Sequence, residues 1–472
     1  MKNNFSKVLS IFLIIFLTYD IISSAYLYYH LNIDGDITKI VTPILWYKDV
    51  LNDPFGIKAV TQNFEYGGAG RFMAHVSPLL WFQYVFNLIY SVVKNPIVSI
   101  YLCSSLFVII IHLSFLFLMN RFIKVNLKFN FNHFLLLLCL TSSFIQYNKF
   151  YDSFGLIDRS ISYVFFYIFP ILVLAFYYSV FYIKYQLGDF RINIFTHILL
   201  ILLSIFLAFS GPLIQPIVFI VTMLCSFAYL FIKEDKFFKR FILNKNILFH
   251  FILMLALSLY AFYVARFNSE KNFDVSLIER YKLLAKGIIH ICTLNFSILI
   301  VAIFFSINLF FIFKLENSYK FKVQLFWIAL FITTYFSLLP LGGYRPYRPY
   351  ILRYDTLIPV TLLIVYLVVY SMVFILNQKT NLPFLKYYIV LPILFIAFMT
   401  IADKKIAKEE NACQHRSLYA LNKNKKDTIL YVSRECNLGT WQESDLNDPY
   451  TQEMLTTLFK KWHVIEPFQV IK

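Results

Sequence analysis

Apolar runs of about twenty residues recur from one end of this 472-residue chain to the other, separated by short polar segments carrying Lys and Arg. A helix rising about 1.5 Å per residue crosses a hydrocarbon layer of roughly 30 Å with one such run. No water reaches that layer, so each run must close its own backbone hydrogen bonds, and a helix does so within a single segment. Charged residues make up only 15% of the chain, where a soluble domain averages about 25%. The pattern predicts an all-α polytopic membrane protein with the lipid bilayer as its solvent.

Eleven spans are expected, near residues 8–31, 97–119, 133–147, 161–183, 192–210, 213–232, 247–265, 287–313, 323–341, 356–376 and 386–401. The connections between them alternate in chemistry. One set carries Arg121, Lys124 and Lys128; Lys184 and Arg191; Lys233, Lys236, Lys239, Arg240 and Lys245; Lys314, Lys320 and Lys322; and Lys379. The excess of Lys and Arg assigns this set, with the N-terminus, to the cytoplasm. The other set is 32–96, 148–160, 266–286, 342–355 and the tail beyond 402, and it faces outward. The stretch 78–93 would invert every later loop as a further span. It begins at Pro78 and is expected to lie in the outer interface. Residues 1–31 read either as an uncleaved anchor or as a signal peptide ending near Ser23-Ser24-Ala25.

The formal net charge of +17 does not indicate nucleic acid, because the basic residues sit in short loops rather than on a soluble surface. Two units are expected. Residues 1–402 form the bundle, including the first outer loop 32–96 with a helix over 40–51. Residues 403–472 form a small extracytoplasmic α/β tail with a strand over 428–432 and a helix over 452–462. Cys413 and Cys436 lie in that tail, on an oxidising side where a disulfide is allowed. Cys103, Cys139, Cys225 and Cys292 read as packing residues. So do His112, His197, His250 and His290, while Asp20 is expected to face the bundle interior.

The chemistry is expected in the outward loops. The late loop Gly342–Asp355 packs Arg345, Arg348 and Arg353 among prolines and tyrosines, including Tyr347. Arginines kept in a short outer loop need an anionic partner, and a guanidinium fork suits phosphate. Asp34-Gly35-Asp36 follows the first span. It reads as a capped turn, with Asp36 capping the next helix, or as a general base at the surface. Glu65, Arg71 and His75 share that first loop, and Asp152, Asp158 and Arg159 occupy the next. Loop 266–286 mixes charges and reads as a solvated face.

This layout resembles the GT-C superfamily of integral membrane glycosyltransferases, which take sugars from polyprenyl-phosphate carriers. The resemblance rests on the early acidic pair, the long outer loop and the late Arg/Tyr loop. The stretch Ala74-His75-Val76-Ser77-Pro78-Leu79 is similar to the His-Pro-Pro-Leu stretch of bacterial members, with Val76-Ser77 replacing the first proline. The resemblance implies an inverting transfer from a polyprenyl-phosphate-linked sugar donor to a lipid or glycan acceptor of the cell envelope, in a bacterial inner membrane. Asp36 would be the catalytic base, with Asp34 as the alternative, and a divalent cation sometimes assists. Arg345, Arg348 and Arg353 would contact the carrier phosphate. Rival readings are an O-antigen polymerase or ligase and a non-catalytic flippase of lipid-linked saccharides.

Overall fold

The computed structural model describes all residues except 1, 44–45, 146, 149–154, 232–235, 271–274, 295, 316–317, 345–347, 379–386, 403–406, 434–435 and 472. The chain is an all-α bundle. Its principal helices are α1 (Lys2–Tyr29), α2 (Gly35–Val41), α3 (Trp46–Asn52), α4 (Ile57–Gln62), α5 (Phe72–Val93) and α6 (Pro96–Lys124). Next come α7 (Phe131–Ser143), α8 (Ile161–Leu187), α9 (Ile194–Ala208), α10 (Ile214–Phe231), α11 (Lys245–Val264), α12 (Leu277–Leu294) and α13 (Phe296–Phe313). The chain closes with α14 (Tyr319–Leu338), α15 (Tyr354–Leu376), α16 (Val390–Ala402), α17 (Ala407–Lys423) and α18 (Pro449–Lys461). Among the described residues, four two-residue strands form two parallel pairs, Tyr147–Asn148 with Ile157–Asp158 and Ile429–Leu430 with Val470–Ile471.

Among the described residues, eight helices are long and apolar enough to cross a membrane. Seven of these cover expected spans, and the eighth is α5. The shorter apolar helices Phe131–Ser143, Ile194–Ala208 and Val390–Ile401 occupy three more expected positions. The expected span 287–313 is instead divided: α12 begins at Leu277 and meets α13 at a bend of 81°. The expected helix from Pro78 starts earlier, at Phe72, and keeps Pro78 inside. A π-helical turn at Trp81–Val85 follows directly, and the Trp81 N–H bonds back to Ser77 and Pro78. The helix expected over 40–51 is two helices, α2 and α3.

Asparagine starts several helices. The Asn95 side chain accepts from the Ile97 and Val98 N–H groups, with Pro96 at the first helical position. Asn130, Asn193 and Asn244 cap α7, α9 and α11 in the same way. Each cap satisfies a donor that the helix leaves open at its start.

The core buries α15 most completely, against α7, α13 and α14. Its basic end is tied together by polar contacts: Asn377 donates to the Lys128 carbonyl at 2.8 Å, and Gln324 and Asn126 both donate to the Tyr182 hydroxyl, at 2.8 and 2.7 Å. Inside the bundle, Asp20 is buried, as expected, and accepts from Ser142 Oγ. His112 bridges that hydroxyl (2.9 Å) to Tyr28 (3.1 Å), so both of its ring nitrogens are engaged.

The tail packs onto α2 rather than standing apart. Gln414 accepts from the Ile33 N–H at 2.9 Å and donates back to the Ile33 carbonyl at 3.3 Å. The Gly439 N–H donates to Ile33 at 3.0 Å, and Thr38 donates to the Gly439 carbonyl at 2.7 Å. Cys413 and Cys436 are joined in a disulfide with their Cα atoms 5.4 Å apart. Helix α17 was not expected from the sequence, and the tail's strand is shorter than expected.

Candidate active site

After α1 the chain bridges Asn32 to Ser160 and turns into α2. Asp34 caps that helix, and the cap falls there rather than on Asp36. Its Oδ1 accepts the Asp36 and Ile37 N–H groups at 3.0 Å each, and its Oδ2 accepts Ser162 N–H at 3.1 Å. With both oxygens occupied by backbone donors, Asp34 holds structure. Burial and the neighbouring Asp36 charge push its carboxyl up to about 7, against those donors.

Asp36 is the second residue of α2, in its first turn, and half-buried. Its Oδ1 accepts the Trp441 indole N–H at 3.0 Å. Burial raises its carboxyl; Trp441, Lys39 and Arg348 pull it down, and Glu270 adds to the rise. Trp441 in turn packs against Tyr163, whose hydroxyl accepts from Arg348, so Asp36 and Arg348 are linked through two rings.

The glycine-rich turn supplies the second wall. Tyr66 bridges Asn268, whose side-chain oxygen accepts the Gly68 and Glu270 N–H groups at 3.0 and 3.1 Å. Gly68 has φ +79°, and a Cβ there would meet His75 Nε2 at 2.9 Å, so glycine is required. His75 is buried between the rings of Tyr47 and Phe166, each 5.7 Å away. Glu270 accepts from the Tyr47 hydroxyl at 3.3 Å and pairs with Arg71 at 4.0 Å. The loop expected to be a solvated face therefore contributes Glu270 to the cluster. Glu65 is exposed.

The late loop supplies the third wall. Arg353 Nη2 lies 3.1 Å from Asp355 Oδ2, and Arg348 Nη1 lies 3.9 Å from the same oxygen. Arg348 also donates to the Tyr163 hydroxyl at 3.4 Å. Arg348 and Arg353 are thus already engaged with a buried carboxylate, and an arriving anion would have to share them. Arg353 Nη1 is buried with no hydrogen-bond acceptor among the described residues. Asp158 is buried, accepts Ser160 N–H at 2.8 Å, and is pushed up to about 8. Burial is the main cause; the Ser160 donor and Arg159 oppose it, and Asp355 and Asp34 reinforce it. Arg345, Tyr347 and Asp152 lie outside the described residues.

Asp36, Arg71, His75, Arg348 and Arg353 thus gather at one end of the bundle, with Asp34, Asp158 and Arg159 beside them. Sequence reasoning missed Tyr47, Tyr163 and Trp441. No local pattern marks Trp441, which lies 405 residues from the carboxylate it contacts. Among the described residues no three His, Cys, Asp or Glu side chains converge as ligands for a divalent cation, and Asp34 spends both oxygens on backbone donors. No protein-family model matches the chain, and no curated protein sequence matches it.

Proposed function

We propose that the chain is a membrane glycosyltransferase of the GT-C kind, moving a sugar from a polyprenyl-phosphate carrier to a cell-envelope acceptor. The observation that supports this reading is that the early carboxylate Asp36 and the late guanidinium Arg348 are joined through two rings: Asp36 accepts the Trp441 indole N–H, Trp441 packs against Tyr163, and the Tyr163 hydroxyl accepts from Arg348. The position of these residues at the end opposite the basic loops supports an extracytoplasmic face.

The donor's phosphate sits against Arg348 and Arg353, displacing part of their interaction with Asp355. Asp36 accepts the proton of an acceptor hydroxyl as that oxygen attacks the anomeric carbon. The glycosidic bond to the phosphate oxygen breaks, and the leaving lipid phosphate keeps the electron pair and the charge. Fixed guanidinium groups stabilise that charge more as it grows. Inversion at the anomeric carbon follows from a single displacement.

The test uses purified full-length protein and an undecaprenyl-phosphate-linked sugar. Asp36→Asn should lower transfer by 10²-fold or more, in line with loss of a general base, while carrier binding persists. Equal turnover by Asp36→Asn and wild type would leave a carrier-binding flippase as the better reading.

A further inference from the structure

One side chain of the polar tail reaches Asp36. Besides donating its indole N–H to the carboxylate, Trp441 sets its ring against that of Tyr163, with centroids 5.6 Å apart and planes at 48°. Both rings are half-buried. Trp441 is held from behind: its backbone N–H donates to Asp445 at 3.0 Å, and a Cβ on Gly35 would come within 2.8 Å of its Cδ1. Tyr163 is held by Arg348. The two rings therefore form a wall between the carboxylate that takes a proton and the guanidinium beside the leaving group.

A half-buried aromatic ring with its polar edge engaged suits an amphipathic ligand. A pyranose fits that description. Its C–H face, partly positive, lies on the negative face of the ring, and its hydroxyls point to the polar rim. A peptide segment or a bare lipid hydroxyl would gain less from such a wall.

We propose that Trp441 and Tyr163 form a binding subsite for a pyranose ring, and that the acceptor is accordingly a saccharide. The transferase reading is needed only to call this sugar the acceptor; binding at the subsite requires no turnover.

The experiment is calorimetric titration of the detergent-solubilised full chain with trisaccharides of glucose, mannose and N-acetylglucosamine. At least one should bind wild type, and Asp36→Asn should keep that binding. Trp441→Ala should weaken it about tenfold or more, equivalent to about 1.4 kcal/mol. Trp441→Phe, which keeps a ring, should retain most of the affinity. Tyr163→Ala gives a second reading should Trp441→Ala fold poorly. Failure of all three sugars to bind wild type, or equal binding by the Trp441→Ala and Tyr163→Ala variants, overturns the subsite. Saccharide binding without transfer would sustain the subsite and remove the transferase reading. Transfer to a sugar-free acceptor without saccharide binding would do the opposite.

Discussion

Asp158 offers a direct measurement of how dry the site is. Its carboxyl rises from 3.8 to about 8 because burial penalises the charge and Asp355 and Asp34 lie within electrostatic reach. The folded state therefore holds a proton that the unfolded chain gives up. Stability from this group is undiminished below about pH 4 and declines as pH rises towards about 8. Each pH unit within that window removes about 1.4 kcal/mol. Between about pH 5 and about pH 7 the loss is roughly 3 kcal/mol, and Asp34 adds a loss of the same sign. Asp158→Asn removes the ionisable group while its side-chain oxygen still accepts the Ser160 N–H. The variant should match wild type near pH 4 and exceed it in unfolding midpoint at about pH 8. Thermal unfolding of the detergent-solubilised protein across that range reads the effect. Parallel pH curves for the two proteins would mean that Asp158 is ionised when folded, and the low-dielectric account of this cluster would be wrong.

Two further substitutions test how the tail is seated. Gly35→Ala would normally favour a helix by up to about 1 kcal/mol, yet its Cβ would meet Trp441 and Thr440 at 2.8–3.1 Å. Overpacking of this kind costs about 1–3 kcal/mol, so a lowered unfolding midpoint is expected; a more stable variant would refute the close fit. Replacing both Cys413 and Cys436 by Ser opens a loop with a sequence separation of 23, worth about 3 kcal/mol by chain entropy. Limited proteolysis should then cut the tail faster, and an unchanged cleavage rate would mean that the hydrogen bonds to Ile33 suffice alone.

Much of the bundle could be read from the chain because one elementary signal governed it, the length of the apolar runs; the asparagines that cap several helices were not read in advance. Burial of Asp20 followed from the cost of a carboxylate in lipid. Where tertiary contacts decided, the sequence was silent. The bend after α12 is one case: Arg280 donates to the Pro340 carbonyl at 2.9 Å, and Gly287 lies against Tyr350 and Leu352. These contacts tie α12 to the late loop. The candidate site shows the same division. Acidic and basic residues in separate loops could be named, but not their pairings. Arg348 and Arg353 were expected to await an anion and instead hold Asp355, whose charge the protein supplies itself. Glu270 was hidden in a loop of mixed sign, and its role follows from Tyr47 and Arg71.

The clasp between Ile33 and Gln414 also bears on how the molecule is made. A nascent chain delivers Asp36 to the membrane surface long before Gln414, Gly439 and Trp441 leave the ribosome. During that interval the carboxylate lacks its indole donor, and Tyr163 lacks the ring that packs against it. The full set of contacts around Asp36 is therefore acquired late, when the distal segment folds back on the proximal one. Chains broken off before Trp441 would carry Asp36 without its indole donor.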